Sequence, residues 1–179
     1  MRVAEGEEVE FQTVPALGPI QGEGPGSLVV FASDHDIVRS RMALQGGQVD
    51  GVMDVTLHGS PESMDAGAAG EVNALWLAQQ LRAKGHTDQA VRLFSCSTGG
   101  CAIKGKNVAQ QLANELGVPV IAPTKDLNID RGGKNGREIV VHVKEGGELK
   151  LFLPEGATPT DFSQGQRPDM AALARYAPP

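Results

Sequence analysis

The sequence predicts an α/β domain with a mostly parallel sheet flanked by helices, followed by a C-terminal antiparallel hairpin. Two short apolar runs, residues 52–58 and 91–96, each stop at a reactive side chain and indicate strands. Between them, residues 71–84 repeat apolar side chains at helical spacing and indicate a crossover helix. Strands joined in this way are parallel and adjacent, and they end at the same edge of the sheet. His58 and Cys96 are therefore expected to meet at that edge, where open α/β sheets bind ligands.

The N-terminal part is predicted to contain an edge strand, a loop, a buried strand and a helix. Apolar and polar residues alternate over residues 8–14, whereas residues 15–26 hold three prolines and four glycines and predict a loop. Residues 27–33 form an apolar strand, and Asp34 is placed to cap a helix over residues 35–45.

The second half of the chain is predicted to add a helix, a strand and the hairpin. Asn107 and Gly117 stand as N-cap and C-cap of an amphipathic segment, and residues 118–122 form a short apolar strand. Residues 138–143 and 148–153 flank a Gly-Gly pair, which predicts that they pair with each other across a tight turn.

The 179 residues are expected to form a single domain. Residues 1–26 supply an N-terminal strand and loop, residues 27–153 the core, and residues 154–179 a proline-rich tail with a short helical stretch. A hydrophobic content of 40% is ordinary for a globular protein.

Composition argues against several classes of function. A net charge of −6 and an aromatic content of 4% do not suit a nucleic-acid binder, which needs basic surface or stacking platforms. No apolar run approaches the ~20 residues of a membrane span. The first ten residues are acidic and lack the features of a signal peptide.

The paired strand ends predict a cysteine nucleophile, Cys96, with a histidine base, His58. Gly59 lets the backbone approach a substrate closely and offers an oxyanion donor. Residues 97–100 are expected to offer further unoccupied N–H groups. No acidic residue is placed to orient the histidine, because Asp54 is too far along the strand, and this favours a dyad over a triad.

A zinc site is an alternative use of the same residue types. Cys96, Cys101 and His58, with His86 or His142, would supply the ligands. The Cys-x4-Cys spacing is loose and the zinc-deaminase signature is absent, so we expect no metal and no resident cofactor. The two cysteines are too close in sequence for a useful structural disulfide.

Basic residues concentrate in one segment of this acidic chain. They are either a solvated face or an anion-binding site. The candidates for anion binding are Lys104, Lys106, Arg131, Lys134 and Arg137, and Lys125 lies among them.

The His58-Gly59 and Ser95-Cys96 strand ends resemble those of caspase-like cysteine peptidases. Residues 91–99 and 109–124 are also similar to C-terminal domains of bacterial polymorphic toxins and Rhs-type effectors. A His-Gly and Cys motif also resembles part of the peptidoglycan transpeptidase signature, but that family is all-β where this chain has a helix.

The resemblance implies a caspase-like fold in which His58 is the base and Cys96 the nucleophile, with the N–H groups of Gly59 and Cys96 as the oxyanion hole. It implies a protein or peptide substrate, a cognate immunity protein, and secretion or delivery into a target cell. It also implies an inositol-phosphate activator held by the basic segment. Cys101 and an insert at residues 102–106 depart from the toxin-end sequences. A non-catalytic module of the same fold that binds a partner or an inositol phosphate is the competing interpretation.

Overall fold

The structure is a computed structural model that describes residues 2–3, 27–29, 51–66, 69–86, 88–132, 138–156 and 161–176. For residues 2–3, 27–29, 128–132 and 138–142 the description is limited to the backbone. The strand predicted over residues 8–14 and the helix predicted over residues 35–45 lie outside the described residues.

The main sheet has five strands and carries both predicted strand ends. From one edge to the other its strands are β11 (Leu149–Phe152), β8 (Val120–Pro123), β7 (Ala90–Phe94), β3 (Val52–Thr56) and β2 (Ser27–Val29). The neighbours β2, β3, β7 and β8 are parallel, and β11 pairs antiparallel with β8. The α/β character and the mostly parallel sheet are therefore confirmed.

Two smaller sheets flank the main one. The first contains β1 (Arg2–Val3), β10 (Glu138–Val143) and β9 (Leu127–Gly132), and the second contains β4 (His58–Gly59), β5 (Met64–Asp65) and β6 (Glu71–Val72). In the second sheet both pairings are antiparallel. The stretch that begins at His58 thus contains a short three-stranded ribbon.

An antiparallel hairpin is present in the second half of the chain, and residues 138–143 and 149–152 are strands as predicted, but their predicted pairing with each other was wrong. β10 pairs with β9, which precedes it, and β11 pairs with β8 in the main sheet. The turn at Gly146 and Gly147 therefore links two different sheets. At Gly147 a β-carbon would crowd the side chains of Val143 and Lys125, so the turn is tightly packed without closing a hairpin.

Three helices are described: α1 (Ala74–Ala83), α2 (Val108–Leu116) and α3 (Met170–Ala174). Helix α1 begins later than predicted because residues 71–72 form a strand and the Asn73 side chain caps the first turn, accepting from Trp76 N at 3.0 Å. The predicted caps of α2 are confirmed. Asn107 accepts from Gln110 N at 2.9 Å, and Gly117 is left-handed with a φ of 69°.

The core lies between the main sheet and helices α1 and α2. Residues Met53, Val55, Val91 and Leu93 belong to one buried cluster with both helices. The connections from β3 to β7 and from β7 to β8 step in the same direction, and right-handed crossovers then put both helices on one face. The alternate strand residues face the other side, where Asp54 and Arg92 are also buried.

The segment after β11 folds back onto the edge of the sheet. Leu151 N donates to Gln166 O at 3.0 Å and Gly165 N donates to Leu151 O at 2.8 Å. Gln164 Nε2 donates to Gln110 Oε1 at 2.7 Å and ties this segment to α2. Within the described ranges, no helix has the length and apolar character that crossing a membrane requires.

Candidate active site

The two strands that lead to His58 and Cys96 are parallel neighbours. Thr56 at the end of β3 is the partner of Phe94 at the end of β7. His58 and Cys96 each follow two residues later, so both chains leave the sheet at its carboxyl edge from adjacent positions. The predicted adjacency of these strand ends is confirmed.

Gly59 packs directly on the turn that carries Cys96. A β-carbon at position 59 would overlap the Ser95 hydroxyl oxygen, and it would lie 2.8 Å from Thr98 Cγ2 and 3.4 Å from the Cys96 carbonyl oxygen. Only glycine leaves room for this approach. The His58-Gly59 strand and the Ser95-Cys96 turn are therefore in contact.

The Cys96 thiol is half-buried and donates to Leu127 O at 3.4 Å. Burial raises the pKa of the Cys96 thiol, and the negative charge of Asp126 adds to the increase. Backbone hydrogen bonding with Leu127 and with Cys96 itself acts in the opposite direction. The thiol in this structure is thus protonated at neutral pH.

The residue after Cys96 has an unusual backbone conformation. Ser97 has a φ of 55°, the left-handed region that few residues other than glycine adopt. Its hydroxyl donates to Asp126 Oδ1 at 2.6 Å and its N–H donates to Lys125 O at 3.0 Å. Residues 125–127 therefore hold both Cys96 and Ser97.

The expectation of unoccupied N–H groups along residues 97–100 was wrong for three of them. Ser97 N donates to Lys125 O, Gly99 N to Pro123 O and Gly100 N to Ser97 O, at 2.8 to 3.0 Å. Two of these bonds attach the turn to the end of β8 and to the residues that follow it, and the third closes the turn on itself. An oxyanion hole made by the N–H groups of Gly59 and Cys96 stays a prediction.

His58 lines an open cavity of about 400 Å³. Its side chain is exposed, and Ser63, Asp65 and Glu71 line the same cavity. Cys96 does not line this cavity.

Asp65 is a candidate that sequence reasoning missed. It is the cross-strand partner of His58 in the β4–β5 pair, and its side chain is exposed. Nothing in the order of residues 59–70 predicts this pairing, since the strands are only two residues long. The register of this ribbon places an acidic residue directly opposite His58.

Asp54 is engaged elsewhere, as its position on β3 predicts. It accepts from Arg92 Nε at 2.7 Å and from Arg92 Nη2 at 2.9 Å. Burial raises the pKa of the Asp54 carboxyl, while the adjacent guanidinium of Arg92 opposes the rise. This pair holds β3 and β7 together beneath the site.

The residues proposed as alternative zinc ligands are dispersed. Cys101 is exposed, whereas His86 is buried after α1 with its Nε2 3.1 Å from Gln89 O. Burial lowers the pKa of His86, although its bonds to Gln89 and the charge of Asp88 oppose this. The side chain of His142 lies outside the described residues. Within the described ranges, no three His, Cys, Asp or Glu side chains form a group able to hold a metal ion.

The structure describes the side chains of only some of the basic residues proposed to bind an anion. Lys106 pairs with Glu155, and Lys104 is exposed. Lys125 Nζ donates to Glu145 O at 2.8 Å. The side chain of Arg131 and the whole of Lys134 and Arg137 lie outside the described residues, so the anion site stays a prediction.

Comparison with known proteins gives one match. The profile of a family described as a domain of unknown function (DUF8616) matches residues 27–139, more than half of the chain. No curated protein and no solved structure matches. The matched residues include both strand ends and the turn after Cys96.

Proposed function

We propose that this chain, which belongs to the family DUF8616, is a cysteine-dependent hydrolase of caspase-like fold that acts on a peptide bond. Cys96 is the nucleophile and His58 the base. The observation that carries the proposal is the contact of Gly59 with the Ser95-Cys96 turn. Touching segments at the carboxyl edge of a parallel sheet support the proposal that one supplies the base and the other the nucleophile.

The proposed reaction has two stages. In the first, the Cys96 thiol proton passes to the His58 imidazole while sulfur bonds to the substrate carbonyl carbon, and the imidazolium then protonates the departing amine. In the second, His58 takes a proton from water, whose oxygen attacks the thioester carbon. The carbon–sulfur bond then breaks, the acid product leaves, and the imidazolium returns its proton to sulfur. The N–H groups of Gly59 and Cys96 are the proposed donors to the oxyanion in both stages.

The raised pKa of Cys96 determines how this reaction starts. A thiol that burial keeps protonated is not a preformed thiolate, so proton transfer to His58 must accompany attack. Substrate binding must also release the sulfur from Leu127 O, with which it is hydrogen-bonded.

The raised pKa of Cys96 and its hydrogen bond to Leu127 O also favour a second function, a non-catalytic binding module. A half-buried, protonated thiol that is hydrogen-bonded to a carbonyl is typical of a structural cysteine. In that case the two strand ends support the fold and a partner binds elsewhere on it.

Matched cysteine variants separate the two functions. The purified chain is incubated with a bacterial proteome, and new N-termini are counted by mass spectrometry. Cys96→Ala should abolish the new termini, whereas the exposed Cys101→Ala should retain most of them. His58→Ala should lower the cleavage rate by about 10²–10⁴-fold, and His86→Asn should leave it within twofold of the parent.

Two outcomes would contradict the hydrolase. One is a proteome with no Cys96-dependent termini, and the other is loss of cleavage in Cys101→Ala with cleavage retained in Cys96→Ala. The first would favour the binding module, and the second would move the nucleophile from Cys96 to Cys101.

The resemblance to toxin-end domains adds a biological setting to the proposal. If the hydrolase is a delivered toxin domain, its production inside bacterial cells should inhibit growth. Cys96→Ala and His58→Ala should abolish the inhibition at equal protein levels, and Cys101→Ala should not. Equal inhibition by the parent and all three variants would show that the toxicity does not depend on hydrolysis by Cys96 and His58.

A further inference from the structure

We infer that Asp65 is a positioning residue that orients the His58 imidazole, which makes the site a Cys–His–Asp arrangement rather than a dyad. This inference rests on the proposed function. The observation behind it is that His58 in β4 pairs with Asp65 in β5.

The register places the two side chains side by side. Residues directly opposite each other in an antiparallel pair have β-carbons about 4.5–5.5 Å apart on the same face of the sheet. Both side chains are exposed and both line the open cavity. A carboxylate at that distance can accept a hydrogen bond from an imidazole N–H.

The proposed reaction would be faster with such a group beside the base. A base that takes a proton from sulfur must present its unprotonated nitrogen to the thiol and carry a positive charge after the transfer. A carboxylate bonded to the other ring nitrogen fixes the required tautomer and stabilises the imidazolium. Here the proton comes from a thiol whose pKa burial has raised, so stabilisation of the cation contributes more than it would for an activated thiolate.

The other acidic residues near the site do not meet this requirement. Asp54 is buried and bonded to Arg92 through both carboxylate oxygens. Glu71 lines the cavity but pairs with Asp65 on β6, one strand further from His58. Adjacent strands are about 4.7–4.9 Å apart, so Glu71 is roughly twice as far from the imidazole as Asp65.

The test compares Asp65→Asn with Glu71→Gln, which removes the same charge from the same cavity. The substrate is a peptide that spans one of the Cys96-dependent cleavage sites. Asp65→Asn should lower kcat by about 10–10³-fold with little change in KM, less than the ~10⁴-fold loss at a buried triad aspartate because Asp65 is exposed. Glu71→Gln should stay within about twofold of the parent, and Asp65→Glu should recover part of the lost rate.

A second readout does not depend on catalysis. In ¹⁵N spectra of the imidazole in the Cys96→Ala background, His58 should show one dominant tautomer that Asp65→Asn converts to a mixture and Glu71→Gln leaves unchanged. Equal kcat in Asp65→Asn and Glu71→Gln, with the same tautomer ratio, would overturn the positioning role. Activity that survives Cys96→Ala would overturn the hydrolase instead, and the tautomer measurement would still test the His58–Asp65 contact.

Discussion

Gly59 and Ser95 are in such close contact that the structure has no room for a β-carbon at position 59. Ser95 is buried, and its hydroxyl oxygen has no hydrogen-bond partner among the described residues. Gly59 directly follows His58 and Ser95 directly precedes Cys96. This contact therefore sets the separation of the proposed base from the proposed nucleophile.

Gly59→Ala should push the His58 strand away from the Cys96 turn. A displacement of about 1 Å between reacting groups lowers a rate by about 10²-fold, so cleavage should fall by at least that factor. The melting temperature should also fall, because the overlap involves the buried atoms of Ser95 and Thr98. Both quantities are measured on the same preparation.

A rescue variant tests the steric explanation. Ser95→Ala removes the overlapping oxygen, and Thr98→Ser removes Cγ2 while keeping the hydroxyl that donates to Ser95 O at 3.1 Å. Added together to Gly59→Ala, they should restore part of the activity. Full activity of Gly59→Ala alone would show that the contact does not control the site.

The pH dependence of Cys96 follows from its raised pKa. Since the thiolate appears only at a pH above the ordinary cysteine range, iodoacetamide should modify the exposed Cys101 first at pH 7. The Cys96 rate should rise about tenfold per pH unit through pH 9. Asp126→Asn should increase it, because the charge of Asp126 contributes to the raised pKa. Faster labelling of Cys96 than of Cys101 at pH 7 would contradict this assignment.

Ser97→Ala should be less stable than Ser97→Gly, because Ser97 has a left-handed backbone conformation. Ser97→Ala loses the hydrogen bond to Asp126 but keeps the left-handed conformation, and should lower the free energy of unfolding by about 1 kcal/mol. Ser97→Gly loses the same bond but relieves backbone strain of similar size, and should be nearly neutral. Urea denaturation measures both. A less stable glycine variant would mean that the turn is not strained.

Much of the site could be predicted because it depends on local patterns. The strand, helix and strand between residues 52 and 96 are short-range features, and the right-handed crossover rule converts them into adjacent strand ends. The caps at Asn107 and Gly117 were equally predictable, because a cap depends on one side chain and a few backbone groups.

The features that were missed depend on contacts distant in sequence. Residues 138–143 and 148–153 both alternate like strands, but nothing local reveals that their partners are β9 and β8. The N–H groups of Ser97, Gly99 and Gly100 are occupied by the carbonyls of residues 125, 123 and 97. Asp65 was missed for the same reason, since a two-residue strand carries no periodic signal.

Asp54 and Arg92 form a buried ion pair between the strands that lead to the site. The two side chains are at most 1% exposed, are joined by hydrogen bonds of 2.7 and 2.9 Å, and cross-link the strands that lead to His58 and Cys96. The guanidinium also lies 4.8 Å from the centre of the Phe94 ring. Asp54→Leu or Arg92→Met alone leaves an unpaired buried charge and should lower the free energy of unfolding by about 3–5 kcal/mol.

The double variant, Asp54→Leu with Arg92→Met, removes both charges and fills the space with apolar atoms. It should lose far less stability than the sum of the single changes, because the large penalty comes from a charge without its partner. Urea denaturation of the four chains gives the coupling energy. A double variant as unstable as the sum would show that other groups neutralise each charge, and that the strands are not held together by this pair.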